Sequence, residues 1–119
     1  MTTLSPTASL AALATHFLTL GTHIAIGSGA TAPSLGSTAL TTEVDRNAYT
    51  TRTASGATCT FEAFFTTSEP STATTIREIG LFDAASAGTL QIFGQPTIPV
   101  SKTTNKTMLV TVSVTFANL

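Results

Sequence analysis

Most of the chain alternates apolar and polar positions with a period of two, and only its start follows the three-to-four spacing of a helix. Leu10, Leu13, Phe17 and Leu20 recur at that helical spacing. Ser5-Pro6 offers an N-cap followed by proline at the first helical position, and Gly21 supplies a stop. Beyond this helix, Ile24 and Ile26 mark a short strand that runs into a loop rich in Gly, Ser and Pro, "GSGATAPSLGS". The following "TALTTEVDR" reads as a single helical turn. "NAYTTRT" and "TCTFEAFFT" are strands joined by a hairpin over Ala54-Ser55-Gly56-Ala57, the second with Cys59, Phe61, Ala63 and Phe65 on one face. "IREIGLF" turns through Asp83 to Gly88 into "TLQIF" as a second hairpin, while Pro96 and Pro99 demote "GQPTIPV" to an edge strand or connector. In "MLVTVSVTF", Met108, Val110, Val112, Val114 and Phe116 alternate with Leu109, Thr111, Ser113 and Thr115, the cleanest strand pattern of all. The fold expected is mainly β, a sandwich or partly closed barrel of about seven short strands with one N-terminal helix. It forms a single domain over residues 1–119, with an arm and helix over 1–21 and the β domain over 22–119.

The run "IREIGLF" sets two opposite charges inside an apolar stretch. Alternation sends Ile76, Glu78, Gly80 and Phe82 to one face and Arg77, Ile79 and Leu81 to the other, so each face carries one charge close to the core. Leu81 and Phe82 fill opposite sides of the sheet and Gly80 leaves room for a neighbour to approach, which places the strand centrally. A charge in that position is expensive without a partner. "TEVDR" supplies candidates: Arg46 reaching Glu78, and Glu43 or Asp45 reaching Arg77, a set of ion pairs that would lock the loop segment to the sheet. The plainer alternative is two charges at a wet sheet margin, contributing about 0 to 1 kcal/mol.

Composition sharpens this picture, because charged residues make up only 9% of the 119 residues where about 25% is usual. Thr, Ser and Ala take their place. Two readings fit: Thr suits half-exposed strands, or much of the surface faces other subunits. On the second reading the residues before Ser5 and the loop from Gly27 to Ser37 are candidate arms that become ordered on a neighbour. A net charge of −1, with five basic residues and no basic cluster, excludes the electrostatic footprint of a nucleic-acid binder and gives no support to a membrane surface. The apolar segment near the start has no basic residue before Arg46 and is too short to span a bilayer, so no signal peptide is expected and synthesis in the cytoplasm is. A single cysteine, Cys59, rules out an intrachain disulfide.

Chemistry has little to work with. Cys59 lies among Phe61 and Phe65 with no helix start or glycine-rich turn beside it to lower its pKa, which suits an inert core thiol. His16 and His23 have no ligand or base partner at workable spacing. The Gly27-Ser28-Gly29 loop follows a strand but lacks GxGxxG spacing and a Lys-Ser/Thr pair, so it reads as a turn and not as a phosphate cradle. Asn105-Lys106-Thr107 matches a glycosylation sequon that carries little meaning without a secretory signal. No catalytic residue, cofactor or metal is expected.

The order "IAIGSGATAPSLGSTALTTEVDR", then "TFEAFF", then "IREIGLFDAASAGTL" resembles the baseplate-anchoring module at the N-terminal end of tailed-phage tail fibres and related small virion proteins. The matching elements are Thr38, Leu40, Glu43 and Arg46, then Glu78 through Asp83 and Gly88, within residues 22–95. In such fibres a long shaft follows, whereas this chain continues for one further strand to Leu119, which favours a stand-alone subunit. The resemblance implies a bacteriophage virion structural protein, located in the virion. It would be a tail, baseplate or fibre-attachment component working through contacts with other virion proteins and with copies of itself. The alternatives are a head decoration protein and, ranking lower for want of Trp and with Tyr49 as the one Tyr, a carbohydrate-binding module for host recognition. The motif residues singled out are Glu43, Arg46, Arg77, Glu78, Gly80, Leu81 and Phe82.

Overall fold

A computed structural model describes Leu4 and residues 6–118. The N-cap expected at Ser5, and residues 1–3 of the expected arm, lie outside the described residues; Pro6, expected at the first helical position, is itself the N-cap, its ψ of 156° being extended, and the helix begins at Thr7. Among the described residues one helix, α1 (Thr7–Leu20), precedes nine strands: β1 (His23–Gly27), β2 (Glu43–Ala48), β3 (Thr51–Ser55), β4 (Thr58–Phe65), β5 (Thr74–Ile76), β6 (Glu78–Phe82), β7 (Leu90–Gly94), β8 (Val100–Lys102) and β9 (Met108–Thr115). They form antiparallel sheets in the orders β2-β1-β6-β7, β3-β4-β9 and β5-β8. The fold is a mainly β, sandwich-like arrangement without a closed barrel.

The core lies between the first two sheets. Ile24, Ile26 and Leu81 come from one side and Cys59, Phe61, Ala63, Phe65 and Val110 from the other, all buried. Met108, Val112, Val114 and Phe116 extend the same face of β9, as the alternation requires. The helix closes one end by burying Ala14 and setting Phe17 edge-on against Phe61 at 6.1 Å and Phe116 at 5.8 Å between ring centroids. Its C-terminal turn receives the Arg52 guanidinium on the Leu18 carbonyl, which a cation suits because the last carbonyls of a helix lack partners.

Three local expectations differ from the structure. "NAYTTRT" is two strands, because the chain leaves one sheet where Tyr49 N–H donates to the Thr22 carbonyl and joins the other where Thr50 N–H donates to the Glu62 carbonyl. "TEVDR" is not a helical turn: from Glu43 onward it is β2, held by pairing along β1 from Gly27 to His23. That tertiary pairing outweighs the local preference. "IREIGLF" breaks at Arg77, where Ile76 ends β5 and joins the main core while β6 begins at Glu78 in a different sheet. Ile76 therefore shares the core with Leu81 and not a face with Glu78. The extra breaks raise the count from about seven strands to nine. β6 itself is central, between β1 and β7.

Two consequences can be measured. Cys59 is buried and its thiol is pushed above its ordinary pKa by that burial, so a thiol reagent should modify it only when the sandwich opens. Its labelling rate should track global unfolding in denaturant; rapid labelling of the folded chain would contradict the packing. Glu69 accepts the Thr66 N–H at 2.9 Å, and this bond, aided by Asn47 and the charge of Lys102, holds its pKa below the ordinary glutamate value. A depressed folded-state pKa adds stability that is present above the ordinary glutamate range and lost as pH falls through the folded value. Glu69→Gln should flatten that portion of the acid limb in a pH series of unfolding midpoints and leave the neutral-to-alkaline side parallel.

Candidate functional site

The outer face of the β2-β1-β6-β7 sheet, away from the main core, carries a second small core of Ala25, Leu40 and Phe82, flanked by Leu90 and Phe93. Two charged side chains organise it. Glu78, on the first position of β6, is fully buried and takes three backbone N–H donors: Gly29 at 2.9 Å and Thr42 at 2.7 Å on Oε2, and Thr41 at 2.8 Å on Oε1. These donors stand at the two ends of the loop 28–42. One carboxylate, itself fully buried, thus pins both ends of the loop through charge-assisted bonds.

Glycine is required where the chain comes this close. A Cβ on Gly29 would lie 2.6 Å from Glu78 Oε2, and one on Gly27 would lie 2.5 Å from both Oε2 and the Thr42 carbonyl oxygen. The Gly27-Ser28-Gly29 loop therefore presents backbone N–H to an oxyanion after all, but the oxyanion is the chain's own carboxylate. Farther along β6, Gly80 leaves the room in which Leu40 sits: a Cβ there would meet Leu40 Cδ2 at 2.9 Å, with Leu90 and Phe82 at 3.0 Å. Leu40 is the side chain by which the loop covers the sheet.

Arg46 does not reach Glu78. From β2 it makes a two-pronged bond to Glu43, Nε to Oε2 at 2.8 Å and Nη2 to Oε1 at 2.6 Å. Its remaining nitrogen, Nη1, donates to the carbonyls of Ala84 (3.0 Å) and Ala87 (2.8 Å) in the turn after β6. The guanidinium lies 3.6 Å over the Phe82 ring, a cation–π contact that suits the planar, weakly hydrated Arg head. The turn is also closed by Asp83, which accepts the Thr89 N–H at 2.7 Å, and Gly88 adopts φ +75° there, in the left-handed region that favours glycine.

Of the seven motif residues, the structure brings Glu43, Arg46, Glu78, Gly80 and Phe82 to this outer face. Leu81 points the opposite way, into the main core. The expected pairing of Arg77 with Glu43 or Asp45 is absent: Glu43 is taken by Arg46, and Asp45 accepts the N–H of Arg46 at 2.8 Å. The Arg77 side chain is exposed and its backbone N–H donates to the Gly27 carbonyl at 2.8 Å, continuing the β1–β6 pairing across the break. Sequence reasoning missed Thr41, Thr42 and Gly29 because they contribute only main-chain groups. The usable signal was a glycine-flanked loop beside an acid with no fitting counter-charge.

No protein-family model matches the chain, and no curated protein matches it. Chemically, the face is a fastener. Glu78 Oε1 and Oε2 are occupied by backbone donors, and Arg46 directs all three guanidinium nitrogens at protein acceptors.

Removing Glu78 orphans three donors. Glu78→Ala should destabilise the fold by about 3 kcal/mol or more, and Glu78→Gln, which turns one acceptor into a donor, by at least about 1 kcal/mol. Amide hydrogen exchange should accelerate first at Gly29, Thr41 and Thr42. A near-neutral Glu78→Ala, with those amides unchanged, would show that the clamp does not hold the loop.

Proposed function

We propose that this protein is a bacteriophage virion structural subunit of the tail, baseplate or fibre-attachment region, acting through protein contacts. The observation that supports this best is the joining of two sequence elements more than thirty residues apart into one mechanical unit. In "TALTTEVDR", Leu40 sits over Gly80, Thr41 and Thr42 bond Glu78, and Arg46 grips the turn after Phe82. These are the same two elements that carry the resemblance to fibre-anchoring modules. A loop fastened at both ends and a bonded turn displayed together on one sheet face suit a part whose task is to present a defined shape to neighbours. The loop tip offers such a surface: Leu35 is wholly exposed, beside a groove of about 500 Å³ formed with Leu90, Gln91 and Phe93 of β7.

The surface chemistry supports the same reading. The outer face of the β3-β4-β9 sheet carries hydroxyl pairs, Thr58 with Thr115 at 2.9 Å and Thr60 with Ser113 at 3.2 Å, together with exposed Phe64 opposite exposed Leu109. Glu62 is the one charge on this face, where it accepts the Thr51 hydroxyl at 3.1 Å, so most of the surface can enter an interface without the desolvation cost of ions. Among the described residues no helix is long and apolar enough to cross a membrane.

Quantitative mass spectrometry of purified particles tests the assignment. A tail or baseplate part should be present in a few ring-related copies per particle, set by the symmetry of its ring. A copy number approaching that of the major capsid protein would move the protein to the head as a decoration subunit, and absence from purified particles would end the virion reading.

A further inference from the structure

The edges of the sheets are not equally defended. Natural sheets discourage pairing with other chains by charges, prolines, bulges or short strands at their edges. β2 carries Glu43, Asp45 and Arg46 and a register shift against β1; β7 is shifted against β6 and runs into Pro96; β3 carries Arg52; β5 and β8 are three residues each. β9 has none of these. It runs for eight residues without charge, proline or bulge, and it is the terminal strand of the β3-β4-β9 sheet.

Its free side can be assigned residue by residue. Phe116 donates its N–H to the Ala57 carbonyl at 2.9 Å, one step beyond the Thr58–Thr115 pair in an unshifted register. In an antiparallel ladder the bonded pairs alternate, so Val110, Val112 and Val114 direct their backbone groups to β4. Leu109, Thr111, Ser113 and Thr115 direct theirs outward. Those same backbone positions border open space, since Thr111 and Ser113 line a cleft of about 370 Å³ between β9 and the Ile79, Ile92 and Gly94 side of the sandwich. A neighbouring cleft of about 290 Å³ continues it past Met108 and Leu109.

We infer that β9 pairs antiparallel with β9 of a second copy of this chain across a twofold axis, joining two three-stranded sheets into one of six. A twofold axis normal to the sheet requires inward residues to face inward ones and outward to face outward. The β9 pattern meets this and the hydrogen-bond phase together, because every residue whose backbone points to the free edge is an outward-facing one. With Thr111 opposite its own copy, Leu109 meets Ser113 and Val110 meets Val112 of the second copy, and no register brings like charges together. The inward valines of the incoming strand extend the apolar wall of the cleft. The pairing deepens, and rests on, the reading of the chain as an assembling subunit. It can still fail separately, since it is measured on the isolated chain and not on particles.

The test combines sedimentation of the full chain with amide hydrogen exchange. The dimer should form reversibly with concentration, and Leu109, Thr111, Ser113 and Thr115 should gain protection as it forms. Thr111→Pro removes a donor that the monomer does not use, and Thr111→Lys sets like charges against each other while keeping the backbone intact. Each should weaken dimerisation by about tenfold or more while the folded monomer keeps its circular dichroism. The inference is overturned if the folded wild-type chain stays monomeric at every concentration, or if a dimer persists unchanged in both variants. It is equally overturned if those four amides become protected only inside particles, which would give the edge to a strand of another virion protein.

Discussion

A fully buried carboxylate held by three backbone N–H groups is the constraint around which one half of this fold is arranged. Burying an ionised Glu78 without partners would cost several kcal/mol, so the loop ends that carry Gly29, Thr41 and Thr42 must be in place whenever β6 is. The glycines at 27 and 29 follow from the same closeness, because a side chain at either would occupy the space of the carboxylate. Compensation comes from main-chain dipoles and not from a counter-ion. No second charge has to be desolvated, and salt, which screens buried interactions weakly, has little to act on.

The small outer core depends on that clamp. Leu40 lies two residues before Thr42, and its place above Gly80 is set once Thr41 and Thr42 are fixed to Glu78. Phe82 completes the core and carries the Arg46 guanidinium, which then reaches over to the Ala84 and Ala87 carbonyls. Loop, sheet face and turn are coupled in series. The inner face needs no such device, since Ile24, Ile26 and Leu81 meet the Phe61 and Phe65 side of the other sheet, each buried side chain contributing about 1.5 to 3 kcal/mol.

Strands that bury one face wrote themselves plainly into the sequence. β4 and β9 alternate without interruption because one side of each meets the core and the other meets solvent, and both were legible from Cys59 to Phe65 and from Met108 to Phe116. The central position of β6 was legible too, from Leu81 and Phe82 filling opposite sides. Periodicity says nothing, however, about which sheet a strand joins, so the sheet changes at Tyr49-Thr50 and at Arg77 were invisible. The Glu78 partner was misassigned for a related reason. Charges are visible in a sequence and backbone N–H groups are not, so scarcity of charge pointed to Arg46 when the donors were main-chain groups that any residue owns.

That scarcity has a structural explanation beyond composition. The six acidic and five basic residues mostly connect chain segments. Glu78 fastens the loop, Arg46 and Glu43 the turn after β6, Asp83 the base of that turn, and Arg52 the end of the helix. Lys102 is buried, donating from Nζ to the Thr66 and Thr103 carbonyls at 3.0 Å each, and Glu69 caps the same stretch at Thr66. Arg77 and Lys106 are left standing in solvent. Charge is used here as internal fastening, which leaves broad surfaces of Thr, Ser and apolar side chains with little electrostatic repulsion to keep copies apart. A chain built this way has the ends of its long loop fixed to the sheet before it meets a partner, which lowers the ordering entropy that association must carry, and the sparsely charged faces that remain are free to be covered.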